Sequence, residues 1–153
     1  MNKQNLTLKE AMILGVQHQQ KSNFEEAKKI YQNILKIDPN QVNAVGNLGL
    51  VFVGLKEYQE AKACYEKAIE LDPNYPEANN SLGVFFRKNK EFKKAADYFK
   101  KVDTTLGNAE FLECTYLSNG VENYNKLLNT FAEENPTNLR IAALATYVSK
   151  KEN

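Results

Sequence analysis

Residues 42–75 read VNAVGNLGLVFVGLKEYQEAKACYEKAIELDPNY. Val45, Leu48, Gly49 and Phe52 recur at spacings of three and four, which predicts a helix over about Val42–Val53 with one buried stripe. A second helix is predicted over about Glu57–Leu71, with Tyr58, Ala61, Tyr65 and Ala68 facing inward. Gly54-Leu55-Lys56 is the expected turn between them. Pro73 stops the second helix, because proline lacks an amide hydrogen and disfavours helical backbone at Asp72. One such hairpin cannot bury its apolar faces alone, so it calls for neighbours of its own kind.

Those neighbours are present at a step of 34 residues. Leu14-Gly15, Leu48-Gly49 and Leu82-Gly83 are related by it. So are Phe24, Tyr58 and Phe92, then Ala27, Ala61 and Ala95, then Tyr31, Tyr65 and Phe99. Asp38-Pro39-Asn40 returns as Asp72-Pro73-Asn74. The repeats cover about residues 8–41, 42–75 and 76–107. After Gly107 the pattern degrades. A degenerate repeat fits residues 108–136, with helices over about Ala109–Leu117 and Val121–Glu134 and a turn at Ser118-Asn119-Gly120. Phe111, Leu112, Leu128 and Phe131 take its core slots. A last helix over about 136–151 reads as a cap, which a stack of repeats needs at its end. The expected fold is all-α, an α-solenoid of antiparallel helix pairs forming a single domain over residues 1–153.

Local signals agree with this layout. Thr7 with Glu10, and Ser22 with Glu25, fit the capping box. Asn40 and Asn74 are placed to cap the helices that follow them, and Pro76 suits a first helical turn. Gly15, Gly49 and Gly83 each cost about 1 kcal/mol of helix propensity relative to Ala. That cost is explained if a neighbouring helix passes too close for a side chain. The aromatics Tyr31, Tyr65 and Phe99 are then expected to fill the wider gap between repeats.

The 34-residue step, the Leu-Gly pair, the Ala-then-aromatic columns and the Asp-Pro-Asn link resemble the tetratricopeptide repeat (TPR). The position this family usually gives to Trp holds Ala11, Val45 and Asn79 here, and Gly107 replaces the third closing proline. The resemblance implies that the first helix of each pair lines a concave groove for an extended peptide or a helix. In register, that groove takes Met12 and Val16 from the first repeat and Asn43, Gly46, Leu50 and Val53 from the second. The third contributes Asn80, Val84, Arg87 and Lys88, and the degenerate repeat Ala109, Glu113 and Tyr116. Val16, Leu50 and Val84 form an apolar row. Asn43 and Asn80 could bond a bound backbone, and Arg87 and Lys88 could meet a carboxylate or phosphate. The family's clamp for chaperone C-terminal carboxylates is not expected, since its positions carry Met12, Val16, Glu77 and Ser81, with only Asn47 in agreement.

Other chemistries find little support. Basic and acidic residues nearly cancel, 20 against 19, so no global field draws the chain to nucleic acid. Seven basic residues between Arg87 and Lys101 face only Glu91 and Asp97 and read as a solvated helix face. Phe92 and Phe99 within that stretch belong to core columns, which removes them from base stacking. His18, the single histidine, fills the slot of Phe52 and Phe86 and reads as packing. Cys64 and Cys114 read as free thiols; no metal site, catalytic residue or cofactor is expected. The longest apolar run, Leu48–Leu55, has eight residues where a membrane helix needs about 20. With no secretory signal, a cytoplasmic location and no membrane insertion are expected.

The leading expectation is a non-enzymatic module that binds a protein or peptide partner. Two alternatives stay open. Residues 135–143, Asn-Pro-Thr-Asn-Leu-Arg-Ile-Ala-Ala, are similar to a stretch that follows such repeats in some bacterial proteins ending in a 2-oxoglutarate oxygenase-like domain. The chain would then be the N-terminal part of a longer enzyme of that kind, or of a sulfotransferase or other transferase, recruiting its substrate. Alternatively, the C-terminal helix caps a second copy and makes a homo-oligomer.

Overall fold

A computed structural model describes residues 7–102 and 105–119, together with single positions 128, 130, 133, 137, 143 and 146. Among the described residues the ordered elements are α1 (Leu8–Gln20), α2 (Phe24–Ile37), α3 (Val42–Gly54), α4 (Tyr58–Leu71), α5 (Pro76–Lys88), α6 (Phe92–Phe99) and α7 (Thr105–Asn119). The first three expected helix pairs are all present. Helix α7 begins four residues before the expected Ala109. The expected helix at 121–134 and the cap at 136–151 lie outside the described residues, apart from single positions; Leu128 is helical and buried.

The chain falls into two compact units, residues 1–78 and 79–153. In the first, α1 packs on α2, α2 on α3 and α3 on α4. Its core holds Ala27, Tyr31, Ile34, Ala44, Val45, Val51, Ala61 and Ala68. In α3, which packs on both α2 and α4, Val45 and Leu48 are buried. Their counterparts Ala11 and Leu14 in α1, before which no described helix runs, are only half-buried. In the second unit α6 packs on α7, around Leu82, Ala95, Phe99, Leu112 and Cys114.

One contact recurs at each step of the repeat. A Cβ placed on Gly15 would stand 2.7 Å from the Tyr31 ring, one on Gly49 2.6 Å from the Tyr65 ring, and one on Gly83 2.7 Å from the Phe99 ring. The close neighbour that the glycines imply is therefore the aromatic of their own helix pair. Each ring lies against the bare backbone of its own repeat's first helix, and Tyr31 also meets Asn47 of the next repeat.

The turns are equally regular. Ser22, Lys56 and Lys90, again 34 residues apart, have φ of 59°, 65° and 62°. In the second repeat the Lys56 amide donates to Val53 O at 3.0 Å and the Glu57 amide to Phe52 O at 2.9 Å. The same pair of bonds closes α1 through Ser22 and Asn23, and α5 through Lys90 and Glu91. This is the Schellman arrangement, which satisfies helix-end carbonyls by placing one residue in left-handed backbone. Gly54, expected in the turn, is the last residue of α3. A Cβ there would stand 2.6 Å from the Phe24 ring.

Caps follow the sequence only in part. Thr7 and Glu10 form the full capping box, with the Thr7 amide donating to Glu10 Oε2 at 2.8 Å. The Thr7 amide and hydroxyl hold the Glu10 carboxyl below its usual range. The expected Ser22–Glu25 box does not form, because Ser22 is used as the left-handed turn residue and Asn23 takes the cap position. Asn40 does not cap α3 either. Gln41 Oε1 accepts from the Ala44 amide at 3.1 Å, while Asp38 and Asp72 accept from the amides of Asn40 and Asn74 at 3.2 and 3.0 Å. In Asp-Pro-Asn it is thus the aspartate that turns the chain.

Two substitutions test this geometry. Gly49→Ala gains helix propensity but drives a methyl into the buried Tyr65 ring, so urea unfolding is expected to show a loss of about 1–2 kcal/mol. Lys56→Gly removes the strain of a left-handed side-chain-bearing residue, and the same measurement is expected to show a gain of up to about 1 kcal/mol.

Candidate protein-binding surface

The residue after each repeat glycine sits about 100° round the helix from it. Val16, Leu50 and Val84 therefore leave the packed stripe, and all three are half-buried. In the first unit the same face of α1 and α3 carries half-buried Met12, exposed Asn43 and Val53, the last 42% exposed. Apolar side chains here retain surface that the repeat packing does not cover. Gly46, expected in this row, is not available: it is buried, and a Cβ on it would stand 2.5 Å from the Tyr75 ring. Sequence register could not show this, because Tyr75 comes from the link after α4.

Two phenols line the back of this face. Tyr31 OH donates to Gln19 Oε1 at 3.2 Å. Burial pushes its pKa up to about 12, against the opposing pull of the Asn47 amide beside it. Burial also pushes Tyr75 up to about 12, helped by the negative charge of Glu77. Both are neutral hydroxyls at ordinary pH. Asn47, the one position that agrees with a carboxylate clamp, is thus engaged with Tyr31.

In the second unit α5 presents half-buried Asn80 and Val84 and exposed Lys88. Arg87 is differently placed from the expectation. Its guanidinium Nη1 pairs with Glu110 and, at 3.3 Å, with Glu113, both on α7. Glu110 is buried. The cation expected for a partner's carboxylate is neutralised by two carboxylates of the chain itself. Glu113, expected in the groove, is the second of them, and Ala109 is buried in the core. The sequence signal was two acids three residues apart on one helix, at the place where an arginine of the preceding repeat ends its face.

His18 is half-buried in the aromatic slot, and its buried Nδ1 has no hydrogen-bond partner among the described residues. Cys64 and Cys114 are free thiols, and burial raises both pKa values to about 11, which keeps both in the thiol form at neutral pH. Among the described residues no cluster of His, Cys, Asp and Glu could hold a metal ion, and no helix is long and apolar enough to cross a membrane. A further ion pair escaped the sequence reading. Lys28 Nζ lies 3.0 Å from Glu57 Oε2 and 4.9 Å from the Phe52 ring centre, tying α2 to the turn after α3.

Comparison with known proteins agrees with this architecture. Models of the tetratricopeptide repeat match residues 12–41, 42–75 and 64–96. No curated protein matches the chain. Among solved structures it is similar to PilF of Pseudomonas aeruginosa, with 20% identity and a TM-score of 0.74 over 95% of this chain and 68% of that one. It is similar to YrrB, described as a TPR protein with an unusual peptide-binding site, with 21% identity and a TM-score of 0.74 over 94% of this chain and 77% of that one. It is also similar to a thermophilic TPR protein of Thermus thermophilus, with 14% identity and a TM-score of 0.65 over 95% of this chain and 83% of that one. These likenesses show the fold.

The ion triad sets a stability prediction. Arg87→Ala leaves the buried Glu110 carboxylate without its cation and is expected to cost about 1–3 kcal/mol in chemical unfolding. Lys88→Ala, at an exposed position with no such partner, is expected to stay within about 0.5 kcal/mol of the parent.

Proposed function

The chain belongs to the tetratricopeptide-repeat proteins, and from that footing we propose that it is a non-catalytic interaction module whose first-helix faces bind a segment of a protein partner. The observation that carries this reading is the apolar set beside the repeat glycines. Val16 and Leu50 in the first unit and Val84 in the second are incompletely covered, although the glycine beside each is buried. Asn43 stands exposed beside Leu50's helix face and Asn80 half-exposed on α5, where amides can pair with a bound backbone. The peptide-binding site of YrrB supports the same type of ligand. Arg87 is left out of the binding set, because Glu110 and Glu113 already hold it. Met12 and Val53 lie on the same helix faces in the first unit, and Lys88 on α5 in the second.

Recognition of this kind is governed by shape and apolar burial more than by charge. Covering one leucine or valine side chain contributes about 1.5–3 kcal/mol. The test is to select peptides from a displayed random library on the parent protein and to titrate them against Leu50→Asp and Val84→Asp. Affinity is expected to fall about 10–100-fold, with helical content and melting temperature unchanged. Peptides that bind both variants as well as the parent sink the reading.

A further inference from the structure

The third repeat carries a second, chemically different surface. Of the seven basic residues between Arg87 and Lys101, Arg87 is held by Glu110 and Glu113, and Lys94 is paired with Glu91 and lies 5.3 Å from the Phe86 ring centre. Lys90, Lys93, Lys100 and Lys101 are exposed and make no ion pair with any described carboxylate. Two acids lie among them, Glu91, which is paired with Lys94, and Asp97.

The other repeats show that the fold does not require these lysines. The slots of Lys90, Lys93, Lys100 and Lys101 hold Ser22, Glu25, Gln32 and Asn33 in the first repeat, and Lys56, Gln59, Glu66 and Lys67 in the second. Lys93 and Lys94 even stand in the first turn of α6, where α2 has Glu25 and Glu26 and α4 has Glu60. A helix start carries positive partial charge, so cations there oppose stability. The third repeat therefore concentrates positive charge against its own helix energetics, at positions where its two sisters fold with mostly neutral or acidic residues.

We propose that this face, distinct from the apolar set, docks an acidic segment of a protein, with carboxylates meeting the lysines of α6. Lys93, Asp97 and Lys100 follow i, i+4, i+7 and share one stripe about 10 Å long. Carboxylates about three residues apart on an extended chain span that length. Asp97 in the middle of the stripe repels a continuous row of phosphates but leaves room for separated carboxylates. No exposed large apolar side chain lies between residues 88 and 101 to anchor a bilayer surface. The Tyr98 ring is stacked on Phe86 at 5.3 Å with Lys101 Nζ 6.0 Å from its centre, so its faces are already engaged.

The test uses substitutions borrowed from the chain's own repeats: Lys90→Ser, Lys93→Gln, Lys100→Gln and Lys101→Asn, combined. A control variant, Lys56→Ser with Lys67→Asn, removes two lysines from the second repeat. Binding of a fluorescein-labelled (Glu-Asp)6 peptide is followed by anisotropy at ~50 and ~150 mM NaCl, beside phosphatidylserine vesicles and a single-stranded DNA of about 20 nucleotides. The expected result is about tenfold weaker peptide binding for the third-repeat variant at the lower salt and at most about twofold for the control. Its melting temperature is expected to equal or exceed the parent's. Equal weakening in both variants, a large fall in melting temperature, or tighter binding of vesicles or DNA than of the peptide would each overturn the proposal. None of these readouts depends on Leu50 or Val84, so failure here leaves the peptide-selection result untouched.

Discussion

An aromatic ring lying on the bare backbone of a glycine is the contact on which the rest of the molecule depends. Gly15 under Tyr31, Gly49 under Tyr65 and Gly83 under Phe99 bring the two helices of each repeat to one fixed separation. A methyl at any of these glycines would overlap the ring. Because the glycine faces its partner helix, its neighbour in sequence is turned about 100° away. That rotation is what leaves Val16, Leu50 and Val84 each off the packed stripe of its helix. The packing contact and the candidate binding residues are two consequences of one helical phase.

The left-handed residue at each turn completes the hairpin. It lets the first helix end by satisfying its own carbonyls and hands the chain to the second within three residues. That the position is held by Ser22, Lys56 and Lys90, and not by glycine, shows that the two turn hydrogen bonds outweigh the strain of a side chain in that conformation. Glu57 has a second role of its own. It stands at the start of α4 without its side chain bonding that helix's amides, and its carboxylate serves Lys28 of the preceding pair instead.

Charge is handled differently in the two units. In the first, Lys28 is neutralised by Glu57 and Lys29 by Glu26. In the second, the arginine on the first-helix face is held by α7, which leaves that face with Asn80, Val84 and exposed Lys88, while further exposed lysines gather around α6. The first-helix face and the lysine face are therefore suited to different chemistry: one to apolar burial, the other to carboxylates whose attraction weakens with salt.

Helix pairs and the glycine column were legible in the sequence because each follows from a local period or from the 34-residue step. The Ser22 box was misread, since a serine followed by glutamate fits a cap and a turn equally until the backbone angle is known. Gly46 was placed in the groove because register says nothing of Tyr75, which arrives from the next link. Arg87 was assigned to a partner because its acids lie in the degenerate repeat, where no step relates positions. Periodicity along one chain thus settled which residues pair into helices and most of the buried columns, although Tyr58, expected to face inward, is 55% exposed and Phe24 and Phe92 are half-buried. Only the tertiary structure decided where the aromatic rings rest, which glycine is covered and which cation is neutralised, since those depend on side chains that meet across helices.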